Sequence, residues 1–287
     1  MGNAQDGGLP HAACSCPNCS AARDDRTRRD YVSSLALILP SRTLLIDATP
    51  DIREQLELLR DVGARGQGAV QGRVDRHPVD GVLLTHAHIG HYLGLAFFGF
   101  EAVHTKELQV YATPKMSSFL AANAPWEQLV RTKNLALHPM DPGERLSVGD
   151  GVFVTPIVVP HRDEYADTVA FVIEGPRNRV LFIPDTDPWA RWSTPPEDLF
   201  ADVDVALVDG TFYSGDELPG RDLSKIGHPL IRDSMTLLGP RVESAELEVL
   251  FIHLNHSNPA HDPASEAHRQ IVDAGFSVAR HGLEIPL

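Results

Sequence analysis

Thr85-His86-Ala87-His88-Ile89-Gly90-His91 follows directly on the run Gly81-Val82-Leu83-Leu84, and the reading of the chain starts from this stretch. A short apolar run of that length predicts a buried strand. If the chain stays extended beyond it, His86 and His88 project to the same side, because side chains alternate with period two. A turn after His88 would bring His91 back to the same point. Three imidazoles meeting at the end of one strand are costly unless a metal ion or a carboxylate fills the space between them.

The same pattern recurs downstream. His161 follows a strand predicted over residues 151–159, Asp185 follows one over 180–183, and His253 ends one over 247–252. Gathering side chains from several strand ends is how α/β scaffolds build a site. Any one of these histidines alone would read as structural. Their recurrence reads as a metal or catalytic centre.

From Tyr31 onward, short β-rich runs alternate with helical patterns. Strands are predicted over residues 35–39 and 43–47, joined by the turn Pro40-Ser41-Arg42. Thr49 reads as the N-cap of a helix reaching about Arg60, with Pro50 at its first position. The Gly-rich residues 63–72 read as a surface loop, and residues 93–100 as a buried helix. Further strands are predicted over 108–112, 168–173, 205–208 and 276–278, and further helices over 115–123, 229–238 and 263–274. Strands and helices interleaved in this way fit a two-sheet α/β core covered by helices.

Composition narrows the function classes. The 287 residues carry 25 Lys+Arg against 39 Asp+Glu, a formal net charge of −14. That balance argues against a nucleic-acid partner, because the one basic run, Arg23 to Arg29, is diluted by Asp24, Asp25 and Asp30. No apolar stretch approaches the roughly 18 residues that span a bilayer, and the first residues, Met-Gly-Asn-Ala-Gln-Asp, resemble no signal peptide. The expectation is a cytoplasmic protein without a membrane partner, free to form a homodimer. Fourteen histidines, about one residue in twenty, are an enrichment that a metal centre would explain.

The three cysteines, Cys14, Cys16 and Cys19, sit within six residues of one another. An odd, tightly spaced set cannot pair off into disulfides, whereas three thiolates at this spacing can wrap one tetrahedral zinc. The competing reading is a redox-labile loop.

Thr85-His86-Ala87-His88-Ile89-Gly90-His91 resembles the His-x-His-x-Asp-His motif of the metallo-β-lactamase superfamily, and Asp47, His161, Asp185 and His253 follow in the order of its other motifs. Within that superfamily the chain resembles the coenzyme PQQ synthesis protein B family over nearly its whole length. The likeness is carried by Gly7-Gly8-Leu9-Pro10, the Cys14 to Cys19 cluster, Ala48-Thr49-Pro50-Asp51-Ile52-Arg53, Pro160-His161-Arg162-Asp163-Glu164-Tyr165, Val208-Asp209-Gly210-Thr211-Phe212-Tyr213 and His253-Leu254-Asn255-His256-Ser257-Asn258-Pro259. The phosphonate-pathway cyclic phosphodiesterase is a more distant likeness that shares the cysteine cluster.

The resemblance implies a four-layer αββα sandwich forming one domain over residues 1–287, with a Cys-rich zinc-binding loop at residues 7–20. It implies a first divalent metal (Zn2+, Mn2+ or Fe2+) held by His86, His88 and His161. Asp185 would bridge to a second metal bound by His91 and His253, and Asp185, His91 and His253 would carry the catalytic role. It further implies a Cys3His structural zinc completed by His228, with His11 as the local competitor. His228 is preferred because it would tie the N-terminal loop to a distant segment. Asp47 is expected to orient ligands by hydrogen bonds. Tyr92, Arg162, Tyr165, Tyr213, Asn255 and His256 are expected to line a substrate pocket, with His256 also weighed as an extra ligand there.

Two departures from the superfamily pattern stand out. Gly90 replaces the aspartate that would ligate the second metal, and Tyr92 stands where many relatives have another histidine. The second metal is then left with His91, His253 and the shared Asp185, either an open zinc site or the two-His, one-carboxylate set of iron oxygenases. The chain also opens at Gly2-Asn3-Ala4-Gln5 where relatives have a strand, which implies either a start placed late or an edge strand fewer in the first sheet. The function implied is a metal-dependent hydrolase of an ester or phosphodiester in a small molecule or small peptide. The alternatives are an iron-dependent oxygenase acting on a tyrosine-derived precursor of pyrroloquinoline quinone, and a metal-binding protein without turnover.

Overall fold

The structure, a computed structural model, describes residues 1–60, 62, 79–218, 220–222 and 225–287. Residues 63–72, read above as a loop, lie outside the described residues. The described chain forms β1 (Leu35–Ile38), β2 (Thr43–Ile46), β3 (Gly81–Leu83), β4 (Leu108–Ala112) and β5 (Leu135–Pro139), which make one sheet in that order. The second sheet holds β6 (Leu146–Gly149), β7 (Val152–Val158), β8 (Val169–Glu174), β9 (Arg179–Ile183), β10 (Val205–Asp209), β11 (Glu248–Ile252) and β12 (Ser277–Val278), in the order β12-β11-β10-β9-β8-β7-β6. The first sheet opens with an antiparallel pair and continues parallel from β2 to β5. The second is antiparallel from β6 to β9 and parallel from β9 to β12.

Alternation along these strands sets the layers. Leu44 and Ile46 of β2 meet Phe182 of β9, Leu207 of β10 and Leu250 of β11 in a core between the two sheets. The intervening residues point outward. Leu45 and Val82 pack beneath Ile52, Met116 and Leu120, on the helices Ile52–Leu58 and Pro114–Ala122. Leu181, Val208 and Phe251 pack beneath Leu238 and Ile271, on Ile231–Glu243 and Glu266–Asp273. Parallel strands buried on both faces require such apolar continuity, and the result is the helix, sheet, sheet, helix sandwich expected above.

β5 and β6, each at the edge of its sheet, were not anticipated, nor was the helix Trp126–Arg131. Edge strands alternate weakly because only part of each is buried, and a helix of six residues is too short to show a period. Residues 93–98 form a 3-10 segment rather than an α-helix. The next helix runs Ile52–Leu58 from Asp51, and the Thr49 hydroxyl holds the turn before it, accepting from Asp51 N–H at 3.0 Å and donating to Gln55 Oε1 at 2.8 Å. β1 is the edge strand of the first sheet, and residues 2–4 reach the chain beside it through isolated bridges to Ser34 and Val32. No helix among the described residues is long and apolar enough to cross a membrane.

Phe182 is 1% exposed where the two sheets meet. Phe182→Ala is expected to cost about 3–5 kcal/mol by lost burial and a residual cavity, read as a lower midpoint in urea unfolding with an unchanged slope.

Candidate metal centre

β2, β3, β7, β9, β10 and β11 each deliver a polar residue to one edge of the sandwich at their C-terminal ends: Asp47, His86, His161, Asp185, Asp209 and His253. Parallel direction places these ends together, as in open α/β sheets generally. Asp47 and His253 stand at φ +65° and +62°. Left-handed backbone is uncommon outside glycine and persists where the surroundings over-determine it. After β3 the chain stays extended through His88 and then turns into the short helix Ile89–Tyr92. The His91 N–H donates to His88 O at 2.9 Å, returning the third imidazole of the stretch toward the first two.

Asp185 lies at the centre of the group, 3% exposed. Its Oδ2 is 2.9 Å from His91 Nε2, 3.3 Å from His253 Nε2 and 3.5 Å from His86 Nε2. Its Oδ1 is 3.6 Å from His161 Nε2 and 3.3 Å from His228 Nδ1. Burial works to raise this carboxyl, but the His253, His91 and His86 rings hold it well below the usual carboxylate range. His88 completes the other side, with Nδ1 2.9 Å from His86 Nε2. Ligand atoms about 2.0–2.2 Å from a shared ion stand about 3–4 Å apart, which is the spacing seen here. His91 Nε2, His253 Nε2 and both ring nitrogens of His161 are buried and make no hydrogen bond. Such orphaned buried donors and acceptors call for an explanation, and a cation between them supplies it.

The surrounding shell decides which nitrogen each ring offers. His91 Nδ1 lies 2.7 Å from Asp47 Oδ2, where the ring N–H must donate because a carboxylate only accepts. Asp47 also accepts from Thr85, at 2.8 Å from both the backbone N–H and the hydroxyl. The Thr85 hydroxyl is then free to accept from His86 Nδ1–H at 2.9 Å, leaving Nε2 bare toward the centre. On the opposite sheet Asp209 accepts from the Thr211 hydroxyl at 2.7 Å, and that hydroxyl accepts from His253 Nδ1–H at 3.1 Å. Glu164 Oε2 accepts from His88 Nε2–H at 3.1 Å, which leaves Nδ1 facing His86. Histidine ligands are commonly fixed by carboxylate and hydroxyl partners of this kind. Burial pushes the pKa of His86 and His161 down, toward the neutral imidazole that binds metal. Burial opposes charge on His91, yet the neighbouring Asp47 and Asp185 carboxylates raise its pKa well above the ordinary value.

Asp6 and Asp209 belong to this arrangement and were not singled out from the sequence. Asp209 ends an apolar strand, a signal that was available. Asp6 sits in the N-terminal segment, with Oδ1 3.6 Å from His91 Nε2 and 3.9 Å from His253 Nε2. A Cβ on Gly90 would overlap the Asp6 carboxylate and stand 3.0 Å from its Cα.

The structure corrects the fourth partner of the cysteines. His228 is not beside them: its Nδ1–H donates to Asp209 Oδ2 at 2.9 Å, at the edge of the Asp185 cluster. Burial disfavours its charge, but Asp209 and Asp185 raise its pKa to about 9. His256 Nδ1 lies 3.5 Å from both Cys14 Sγ and Cys16 Sγ, and groups with Cys19 as well. A zinc with Zn–S of about 2.3 Å and Zn–N of about 2.0 Å at tetrahedral angles places sulfur and nitrogen about 3.5 Å apart. His11 does not join the set; its backbone N–H donates to Cys19 Sγ at 3.2 Å and its ring packs on His256 at 4.7 Å. Burial pushes the Cys19 thiol up to about 12, so it is a cation that would ionise it.

The expected pocket residues divide. Tyr92 is buried against Trp126 and Phe119, and Tyr213 is buried with its hydroxyl on Gln270. Asn255 shapes its own loop, accepting from Ser257 N–H at 3.1 Å, and His256 belongs to the cysteine cluster. Packing accounts for the two tyrosines, turn formation for Asn255 and the cysteine cluster for His256. Arg162, beside Glu164 at 3.7 Å, and Tyr165, 66% exposed, remain on the segment that carries His161.

The Beta-lactamase superfamily domain matches residues 42–253 of this chain. The chain belongs to that superfamily. Across 100% of its length and 98% of theirs, this superfamily member is 30% identical to coenzyme PQQ synthesis protein B from Ruegeria pomeroyi and 29% identical to that from a Methylobacterium species. Among solved structures it is similar to Zn(2+)-bound PqqB from Methylobacterium extorquens, with a TM-score of 0.77 and 25% identity over 100% of this chain and 98% of that one. A diphosphatase of the PhnP family shares the fold, with a TM-score of 0.66 at 19% identity over 98% and 93% of the two chains.

His256→Ala and Cys16→Ser are each expected to lose one bound zinc per chain and to lower the thermal midpoint, because structural zinc contributes folding free energy. His228→Ala is expected to keep that zinc. Metal analysis of the three variants checks the assignment, and loss of the cysteine-bound zinc from His228→Ala would refute it.

Proposed function

We propose that the protein is a cytoplasmic metal-dependent hydrolase that cleaves an ester or phosphodiester bond in a small molecule or small peptide, using two adjacent divalent ions. The observation that carries this reading is Asp185, whose two carboxylate oxygens face two histidine sets at once. His86, His88 and His161 would hold one ion, and His91 and His253 the other. Two ions at such spacing would supply a nucleophile from water near neutral pH and polarise the scissile group.

The residues of the chain do the rest. Asp47, Thr85, Asp209 and Thr211 hold the rings so that bare nitrogens point inward, and so fix the geometry before substrate arrives. His228 is 12% exposed and held by Asp209, so it presents a donor at the rim where a substrate oxygen would develop charge. Arg162, on the exposed segment next to His161, offers a guanidinium to an anionic substrate.

An intact three-histidine set beside Asp185 favours two-ion hydrolysis over a lone iron on His91, His253 and Asp185. Metal-free protein reloaded with zinc, manganese or iron is expected to cleave a phosphodiester or ester reporter with two ions per chain at this centre. Oxygen consumption with iron alone and no cleavage would sink the proposal. His228→Asn is expected to lower kcat by roughly 10²–10⁴-fold, the range of a lost proton donor, with metal content unchanged.

A further inference from the structure

Gly90 breaks the expected ligand pattern, and the atom that fills the space above it is the Asp6 carboxylate. Its Oδ1 is buried, makes no hydrogen bond, and faces two imidazole nitrogens that also make none, His91 Nε2 and His253 Nε2. The separations of 3.6 Å and 3.9 Å exceed hydrogen-bond length. They match the edges of a coordination shell whose members are each about 2.0–2.2 Å from an ion. Three orphaned atoms of ligand type around one point are expensive without a cation.

Asp6 is also held in place rather than swinging free. Leu254 N–H donates to Asn3 O and Gln5 N–H to Leu254 O, both at 2.8 Å, so the segment before Asp6 pairs with the residue after His253. Gly8 N–H donates to Gln5 O at 2.8 Å, closing a tight turn around Asp6, and Gly8 takes φ +67°, which favours glycine. Leu9 and Asp30 then pin the segment through a pair of backbone bonds at 2.9 Å. A side chain at residue 90 would push into this strap, so the placement of Asp6 requires glycine there.

We infer that Asp6 is a ligand of the ion held by His91 and His253, supplying from the N-terminal segment the carboxylate that Gly90 does not. The second position then has two imidazoles, the shared Asp185 and a carboxylate of its own. It is as well furnished as the three-histidine position, and Gly90 no longer implies a weakened site. This inference rests on the two-ion reading for its context, but its test separates the two.

Protein stripped of metal at the Asp185 centre, with zinc retained on the cysteine cluster as an internal control, is titrated with Co2+, following visible absorption and competition with a chelator. Two cobalt ions per wild-type chain at this centre support the two-ion reading, and one ion refutes it. Independently, Asp6→Ala is expected to weaken, by ten- to a hundredfold, the ion that His253→Ala removes, and Asp6→Asn to weaken it less. Gly90→Asp alone is expected to displace the N-terminal strap and lower the thermal midpoint. The double variant Asp6→Gly, Gly90→Asp, which returns the carboxylate by the other route, is expected to regain the affinity lost in Asp6→Gly. An Asp6→Ala protein that binds this ion as tightly as wild type, or a centre whose sole ion is indifferent to both His253→Ala and Asp6→Ala, overturns the inference. A double variant no better than Asp6→Gly alone also counts against it.

Discussion

The carboxylate of Asp185 is the constraint around which the edge of the sandwich is built. It is withdrawn from water and ringed by five imidazoles, at 2.9 to 3.6 Å. A buried carboxylate is tolerable only with positive charge and donors beside it. The strands that end here, the left-handed turns at Asp47 and His253, and the return of the chain at His91 all serve to bring compensating groups to it. Compensation by rings that offer bare nitrogens is incomplete, and cations are what would finish it.

Two aspartates frame this centre from opposite sheets. Asp47, just after β2, fixes the ring of His91 and the hydroxyl of Thr85, while Asp209, at the end of β10, fixes His228 and the hydroxyl of Thr211. In each case a threonine carries the orientation one step further, to His86 on one side and His253 on the other. The arrangement is matched in logic although the two sheets differ in strand order. It spreads the positioning of the ligands over both halves of the sandwich, so packing between the sheets bears directly on the geometry of the centre.

How much of this was legible depended on whether a signal is local. The strand-end histidines and Asp185 could be placed because each follows an apolar run, and period two gives the side on which His86 and His88 project. The four-layer sandwich followed from interleaved strands and helices, while the edge strands β5 and β6 did not, since partial burial blurs their alternation. His256 and Asp6 were hidden for a different reason. His256 meets cysteines more than 200 residues away in the chain, Asp6 meets His91 and His253 from far along it, and nothing near either residue announces the contact. His228 was misassigned because its distance from the cysteines in sequence looked like a reason for a tie, whereas Asp209 had already claimed its nitrogen.

His253 and His256 are separated by two residues, and one faces the Asp185 centre while the other faces the three sulfurs. Leu254, between them, pairs with Asn3 and Gln5. The loop from 253 to 256 is thus a common anchorage for both clusters and for the segment bearing Asp6. Evolutionarily, this gives the second position of the centre a control that the His-x-His stretch lacks. Changes around residues 3–8 or in the cysteine loop can retune one ion while His86, His88 and His161 stay untouched, so members of one superfamily can drift in metal preference without any visible change in the motif by which they are recognised.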